Sequence, residues 1–217
     1  MAPAQPTFHQ GNYRRQLDAF CRQHPAFACL RDQYGYPPFW ERPNHFHTLV
    51  KIILEQQVHL HSAAATWRLL EAHFGAGLQP QQLLEASVEL LRTLQVSRQK
   101  ASYLKSLSEQ VLSGQLRLEE LPLLPDQEVS ERLMAVKGIG RWTVNIYLLM
   151  VLHRLNIFPT GDVALYQSMR EHLPGCQLLD KPALEALALH WSPLRSMATC
   201  LLYHAYLCKR GRTFSTL

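Results

Sequence analysis

The chain has 217 residues, 47% of them hydrophobic, which is enough to bury a core in one domain or in two closely packed subdomains. Five cysteines form no CxxC pair and no even-numbered disulfide framework, so we interpret them as reduced thiols. There is no signal-peptide pattern and no apolar run of the ~20 residues that a membrane span needs, so we expect a cytoplasmic protein, associated with the nucleoid if bacterial.

The positive charge is unevenly distributed. Lys and Arg number 22 against 17 Asp and Glu, a net charge of +5. Residues 1–136 hold 13 basic and 13 acidic side chains, whereas residues 137–217 hold 9 basic and 4 acidic, so the whole excess lies in the last third. A basic face of this kind fits a nucleic-acid partner, although a soluble basic protein of another kind would carry the same net charge.

The first half of the chain predicts helices separated by two polar or proline-rich breaks. We predict a first helix over residues 12–30. The segment 34–40 is predicted to be an aromatic-rich loop, because its two prolines lack N–H groups and restrict the residues before them. Apolar residues then recur at helical spacing over 46–54 and 60–74, and the polar stretch 55–61 between them predicts two helices joined by an elbow.

The second half continues the helical pattern. Ser97 is predicted to cap a helix over 98–112, and Asp126 to cap the first helix of the motif that follows. Three further helices are predicted at 164–172, 183–189 and 193–209. Because no segment alternates with the period of two that a strand requires, the predicted fold class is all-α.

A Gly-x-Gly turn between two apolar helices is the central motif. The apolar end of one helix reaches Val136, the turn Lys137-Gly138-Ile139-Gly140 follows, and a second apolar run continues to Leu155. Such a hairpin brings N–H groups to a helix N-terminus, where an anion is favoured. We expect both glycines to be required, by unusual φ values or by close backbone approach, and the turn to suit a phosphate.

Asp162 follows a glycine just after this motif, in the stretch Phe158-Pro159-Thr160-Gly161-Asp162. A carboxylate at this point is predicted to cap the next helix, and the cap would hold the carboxylate in place.

The chain resembles the helix-hairpin-helix (HhH-GPD) base-excision DNA glycosylases, and among them the AlkA-like 3-methyladenine DNA glycosylases. The resemblance extends from about Pro37 to Tyr203. It rests on the hairpin, on the Asp162 stretch and on three outlying pieces, which are Ile53-Leu54-Glu55-Gln56-Gln57-Val58, Lys100-Ala101-Ser102-Tyr103-Leu104 and Trp191-Ser192-Pro193-Leu194-Arg195-Ser196-Met197-Ala198.

The resemblance implies an architecture and a reaction. It implies two packed helical subdomains with an active-site cleft between them, subdomain 1 at about 1–45 plus 165–217 and subdomain 2 at about 46–164 with the hairpin at 133–155. It also implies a monomeric, monofunctional enzyme that excises alkylated purines such as 3-methyladenine and 7-methylguanine from double-stranded DNA. Asp162 would be the catalytic carboxylate. No cofactor is required on this view, and with only Cys200 and Cys208 near the C-terminus we expect no iron–sulfur cluster.

The resemblance also assigns expected roles to other residues. Gln57 would fill the gap left by a flipped base and His59 would contact the minor groove; a solvated loop is the alternative for both. Trp142 stands where related lyases carry a lysine, and with Tyr203 and Trp40 it would form the base pocket; the alternative is that Tyr203 is a core residue and that Trp40 covers the core. The expected phosphate contacts come from Lys137, Gly138, Gly140, Arg141 and Thr143. The main-chain carbonyls of Met134, Val136 and Ile139 would hold a monovalent cation (Na⁺ or K⁺).

Two other functions remain open at this level. A bifunctional glycosylase/lyase acting on oxidised bases is disfavoured by Trp142, because an indole cannot form a Schiff base. A non-catalytic module that binds damaged DNA through the hairpin is disfavoured by Asp162.

Overall fold

The computed structural model describes residues Pro6–Arg212, and over this range the chain forms twelve α-helices joined by turns and loops. No β-strand occurs in that range, and Thr7 and Arg154 form an isolated bridge. The predicted all-α fold class is confirmed. The helices are α1 Gln10–Gln23, α2 Pro25–Tyr34, α3 Phe46–Glu55, α4 Leu60–Phe74, α5 Pro80–Glu85, α6 Val88–Thr93, α7 Arg98–Leu112, α8 Asp126–Met134, α9 Arg141–Met150, α10 Val163–His172, α11 Lys181–Leu189 and α12 Arg195–Lys209.

The described residues fall into two compact units. The first unit is Arg42–Tyr147, and the second combines Pro6–Glu41 with the residues from Leu148 onward. The subdomain boundaries expected from the sequence, at 45/46 and 164/165, stay a prediction; the packing itself divides the chain at 41/42 and 147/148.

In the first unit, α7 is the central scaffold, because α3, α5 and α6 all pack against it. Its face Ala101, Leu104 and Leu107 is fully buried. Ser97 caps this helix as predicted, with its hydroxyl oxygen accepting the Lys100 N–H at 3.2 Å. The elbow between α3 and α4 is also confirmed, since α3 ends at Glu55 and α4 begins at Leu60.

In the second unit, α12 is the central helix, and α1, α2 and α10 pack against it. Ten of its residues are buried, from Ser196 through Leu207. Over the part of the chain that the structure describes, no helix combines the length and apolar character needed to cross a membrane.

Three predicted helix boundaries were wrong. The single helix expected over 12–30 is two helices, because Pro25 has no N–H to continue α1 and His24 leaves the helical region at φ −131° and ψ 84°. Asp126 is the first residue of α8 and Pro125 precedes it as the cap position. The second hairpin helix ends at Met150, so the apolar residues up to Leu155 continue into a turn.

Candidate active site

Hydrogen bonds from α10 and α12 hold the Asp162 carboxylate. Asp162 caps α10 as predicted, with Oδ1 accepting the Leu165 N–H at 3.0 Å. Oδ2 accepts the hydroxyl proton of Tyr203, on α12, at 2.8 Å. The side chain is only 9% exposed. Both oxygens therefore have a fixed donor, and the orientation of the carboxylate is set by α10 and α12 together.

Gly161, the residue before Asp162, is also held by a hydrogen bond. Gly161 adopts φ +82°, which favours glycine, and its N–H donates to the phenolic oxygen of Tyr166 at 2.5 Å. Tyr166 in turn donates its hydroxyl to the Glu185 carboxylate on α11. Burial, with the hydrogen bond to Glu185 as the next cause, raises the pKa of Tyr166 to about 12. The loop that presents Asp162 is thus connected to both α10 and α11.

Two of the three aromatic residues expected in the base pocket lie together. Trp40 and Tyr203 meet edge to face, with ring centroids 6.5 Å apart and an interplanar angle of 74°. Tyr203 therefore contacts both Trp40 and Asp162. The third, Trp142, is half-buried in the first turn of α9 and belongs to the first unit.

The hairpin depends on one of its two glycines. Gly138 has φ +89°, and a Cβ placed there would lie 2.0 Å from Cγ of Tyr103, one of the α7 residues in the family pattern. A ring held by a helix cannot yield by that distance. Gly138 is required by its backbone conformation, as predicted, and also by the close approach of the Tyr103 side chain, where a neighbouring backbone was expected.

Gly140 does not meet this expectation. It has no left-handed φ, and a Cβ at this position would meet nothing within 4 Å. The fold would accept a side chain here, so the prediction that the turn itself requires this glycine was wrong. The expected phosphate contact of Gly140 stays a prediction.

Thr143 is turned inward. It is 1% exposed, and its hydroxyl oxygen accepts a hydrogen bond from Nε2 of Gln56 at 2.9 Å. The hydroxyl oxygen thus lies inside the protein, and the expected role of Thr143 as a backbone or hydroxyl donor to phosphate stays a prediction. Gln56 itself was missed in the sequence, where nothing distinguishes it from the neighbouring Gln57.

The elbow residues expected to contact DNA are exposed. Gln57 lies between α3 and α4 with φ +55°, a left-handed conformation that is uncommon for a residue other than glycine. His59 is exposed at the N-cap position of α4, and its side chain makes no capping hydrogen bond. Their roles at DNA stay predictions.

The basic residues of the hairpin are exposed too. Lys137 and Arg141 flank the turn with exposed side chains. The Val144 N–H of α9 donates to the Gly140 carbonyl in the turn at 3.1 Å. Of the carbonyls expected to hold a cation, that of Val136 accepts the Ile139 N–H at 3.1 Å. The cation and the phosphate contacts stay predictions.

Comparison with known proteins gives consistent matches. Residues 50–188 match the family model described as the HhH-GPD superfamily base excision DNA repair protein. The YfjP protein of Bacillus subtilis, named provisionally as a DNA-3-methyladenine glycosylase, is 34% identical over 207 residues, which cover 90% of this chain and 70% of YfjP. DNA-3-methyladenine glycosylase 1 of Schizosaccharomyces pombe is 30% identical over 133 residues, 60% of this chain and 58% of that protein.

Solved structures share the fold. The crystal structure of a DNA-3-methyladenine glycosidase from Bacillus halodurans superposes with a TM-score of 0.75 at 31% identity, covering 90% of this chain and 91% of that one. The Schizosaccharomyces pombe enzyme Mag1, solved in complex with abasic DNA, superposes with a TM-score of 0.79 over 90% of this chain and 97% of its own, and at 24% identity it supports the fold alone. The matched region of the family model is more than half of the chain, and it contains the hairpin and Asp162. The chain belongs to the HhH-GPD superfamily of base excision DNA repair proteins.

Proposed function

We propose that this protein is a monofunctional DNA glycosylase that hydrolyses the N-glycosidic bond of alkylated purines in duplex DNA and leaves an abasic site. The observation that carries the proposal is the Asp162 carboxylate, fixed by the Leu165 N–H and the Tyr203 hydroxyl. The names of the relatives, which are DNA-3-methyladenine glycosylases, support the same reaction class.

Asp162 would act on the sugar. As the glycosidic bond breaks, C1′ gains positive charge, and a carboxylate held nearby stabilises that charge. Because Oδ1 and Oδ2 are already oriented by their donors, the carboxylate need not reorganise as the charge develops. The same group would direct a water molecule to C1′.

Trp142 supports hydrolysis by water over lyase chemistry. The related lyases use a lysine amine at this hairpin position as the nucleophile that forms a Schiff base. An indole has no such amine. Lys100, a lysine elsewhere in the first unit, already uses its amine in the fold, since Nζ donates to the carbonyl of Leu54 at 2.6 Å.

DNA would be held by the hairpin and opened by the elbow. The N–H groups at the start of α9, with Lys137 and Arg141, would contact a phosphate, and such contacts position a protein without specifying sequence. Gln57 would enter the space left by the flipped nucleotide, which offsets part of an unstacking cost of roughly a few kcal/mol.

The experiment that tests this function measures free base. Methylated duplex DNA is incubated with the protein, the released bases are identified by chromatography, and the DNA is then examined before and after alkali. We expect free methylated purines, strand cleavage only after alkali, and no enzyme–DNA adduct trapped by borohydride. Cleavage without alkali, or a trapped adduct, would show lyase activity; absence of free base would favour a binding module.

The substrates are expected to be bases that already carry a positive charge. A purine alkylated on a ring nitrogen needs no proton to leave, whereas a neutral base gains about 10²–10⁴-fold from a general acid, and the sequence motifs supply none beside Asp162. Aromatic faces favour a cation by roughly 0.5–2 kcal/mol when water is excluded. Trp40 and Tyr203, which meet edge to face, would provide such faces, and the family resemblance implies the same role for Trp142.

We therefore predict that 3-methyladenine and 7-methylguanine leave faster than hypoxanthine from matched duplexes. Trp142→Ala should lower the ratio of the excision rate of a methylated purine to that of hypoxanthine. Trp142→Phe, which keeps an aromatic face, should largely restore this ratio. Single-turnover excision of each base gives the ratio. Equal or faster release of hypoxanthine by the native protein would show that a general acid acts on the base.

A further inference from the structure

The side chain of Gln56 joins the elbow to both sides of the hairpin. Its amide nitrogen donates to the carbonyl of Gly138 at 2.9 Å and to the hydroxyl oxygen of Thr143 at 2.9 Å. Gly138 lies in the turn between α8 and α9, and Thr143 lies in the first turn of α9. One amide group thus uses both of its protons to connect segments more than 80 residues apart in the chain.

Gln57, the residue next to this anchor, has a strained backbone. Its φ of +55° is unfavourable for a residue other than glycine, and such a conformation persists where the surroundings enforce it. Gln56 itself has φ −58° and ψ 127°, and its N–H donates to the Ile53 carbonyl at 3.3 Å. The anchored side chain of Gln56 therefore fixes the chain immediately before the strained residue.

Helix α7 supports the same arrangement from behind. Lys100 donates from Nζ to the carbonyl of Leu54 at the end of α3, at 2.6 Å. Burial lowers the pKa of Lys100. One turn later along α7, the ring of Tyr103 lies against Gly138. The last turn of α3 and the hairpin thus rest on one helix, and Gln56 connects them directly.

We propose that Gln56 is a positioning residue that couples the hairpin to the elbow, so that attachment of the hairpin to a DNA backbone sets the place where Gln57 enters the base stack. This inference rests on the proposed function, because it takes Gln57 as the residue that fills the gap. Without the amide of Gln56, Gln57 would still be present, but its strained backbone would no longer be held relative to the hairpin.

A purely structural role for Gln56 makes a different prediction. If the amide only stiffened the hairpin, its loss would weaken binding to all DNA alike, because phosphate contacts carry no information about the lesion. If the amide positions Gln57, its loss should spare binding to undamaged DNA and should impair the opening of the stack at a lesion. The two roles are therefore separated by measuring binding and unstacking on the same variants.

The test uses a duplex that contains a stable tetrahydrofuran abasic site beside a 2-aminopurine, whose fluorescence rises when its stacking is disrupted. The proteins compared are native, Gln56→Ala, Gln57→Ala and the double variant. Gln95→Ala is the matched control, because Gln95 is also an exposed glutamine with a left-handed backbone, at φ +64°, in the turn between α6 and α7. Affinity for an undamaged duplex is measured in parallel over a range of salt concentrations.

We expect Gln56→Ala to reduce the fluorescence gain nearly as much as Gln57→Ala, roughly fivefold as for the loss of a typical hydrogen bond. The double variant should show no further loss, since both changes act on one event. The affinity of Gln56→Ala for undamaged DNA should equal that of the native protein. The control Gln95→Ala should match the native protein in both measurements.

Three results would each overturn the inference. Gln56→Ala could give the native fluorescence gain, or the two substitutions could cause independent losses in the double variant. Gln56→Ala could also lose affinity for undamaged DNA as much as it loses the fluorescence gain. If Gln56→Ala does not fold, Thr143→Val removes one acceptor at nearly constant shape and should give a partial loss of the fluorescence gain; a native gain would contradict coupling. Because the abasic duplex requires no turnover, failure of coupling is read separately from failure of base release by the native protein.

Discussion

The two oxygens of Asp162 accept different hydrogen bonds: Oδ1 caps α10, and Oδ2 accepts the proton of the Tyr203 hydroxyl. An asparagine keeps the shape and the cap but removes the charge opposite a cationic transition state. We predict that Asp162→Asn abolishes base release, leaves DNA binding largely intact and changes the free energy of unfolding little.

The chain supplies a matched control for this substitution. Asp180 caps α11 through the same geometry, with Oδ1 accepting the Ala183 N–H at 3.0 Å. Asp180→Asn should therefore keep its cap and keep native single-turnover excision, so that an effect of Asp162→Asn on excision is not attributed to a helix cap. Near-native excision by Asp162→Asn would remove this carboxylate from the mechanism.

Tyr203 offers a second test at the same carboxylate. Tyr203→Phe keeps the ring beside Trp40 and removes the proton donated to Oδ2 of Asp162. Because a hydrogen bond to a charged group contributes about 1.5–3 kcal/mol, we expect single-turnover excision to fall by roughly tenfold or more, with affinity for an abasic duplex little changed. Tyr206→Phe on the same helix is the control, and a loss of the same size there would argue against a specific role for Tyr203.

The two hairpin glycines should separate folding from DNA binding. Gly138→Ala places a Cβ 2.0 Å from Cγ of Tyr103 at a left-handed φ, and we expect it to lower the free energy of unfolding by at least about 2 kcal/mol. Gly140→Ala meets open space, so its stability should be native while its affinity for damaged and undamaged DNA alike should fall. Urea unfolding and a salt titration of binding measure both effects. Native affinity for Gly140→Ala would mean that no phosphate approaches this residue.

Between elements, the ends of α10 and α12 are joined by charge. The Glu171 carboxylate on α10 accepts two hydrogen bonds from the Arg210 guanidinium, at 2.7 Å on Oε1 and 3.2 Å on Oε2. Its Oε2 also lies 3.4 Å from Nζ of Lys209. The hydrogen bond from Arg210, followed by that of Gln167 and the charge of Arg210, lowers the pKa of Glu171 to about 2. A depressed pKa in the folded state means that this carboxylate stabilises the fold above the unfolded pKa and ceases to do so as pH falls toward the folded pKa.

We therefore predict that Glu171→Gln lowers the free energy of unfolding at neutral pH, by at most about 1 kcal/mol since the pair is partly exposed. The difference from the native protein should shrink as pH falls from about 4.5 toward 2, the interval between the unfolded and folded pKa values. Urea unfolding at several pH values measures the difference. Glu109→Gln, at an exposed position of α7, is the control, and a difference that stays constant on acidification would exclude the ion pair as its source.

For the whole molecule, local signals predicted most of the fold. Helical periodicity and the Ser97 cap located α7, and Asp162 was recognised both as a cap and as the candidate catalytic group. The break at His24 was missed because the apolar pattern continues through Pro25. These signals act over a few residues, which is why the sequence carries them.

Contacts between distant segments could not be predicted in the same way. Nothing near Gln56 indicates that its amide reaches Gly138 and Thr143, and the inward hydroxyl of Thr143 follows from that contact. Whether Gly138 or Gly140 is required by packing depends on where the ring of Tyr103 lies, and that position is set by α7. Such facts depend on tertiary packing, which one sequence does not reveal.

The hydrogen bonds that join Gly161, Tyr166 and Glu185 have a consequence in alkaline solution. Because burial and the hydrogen bond to Glu185 raise the pKa of Tyr166 to about 12, this phenol keeps its proton above pH 10, where an ordinary tyrosine ionises. Its hydrogen bond to Glu185 should therefore persist at that pH, and with it the connection of the Asp162 loop to α11.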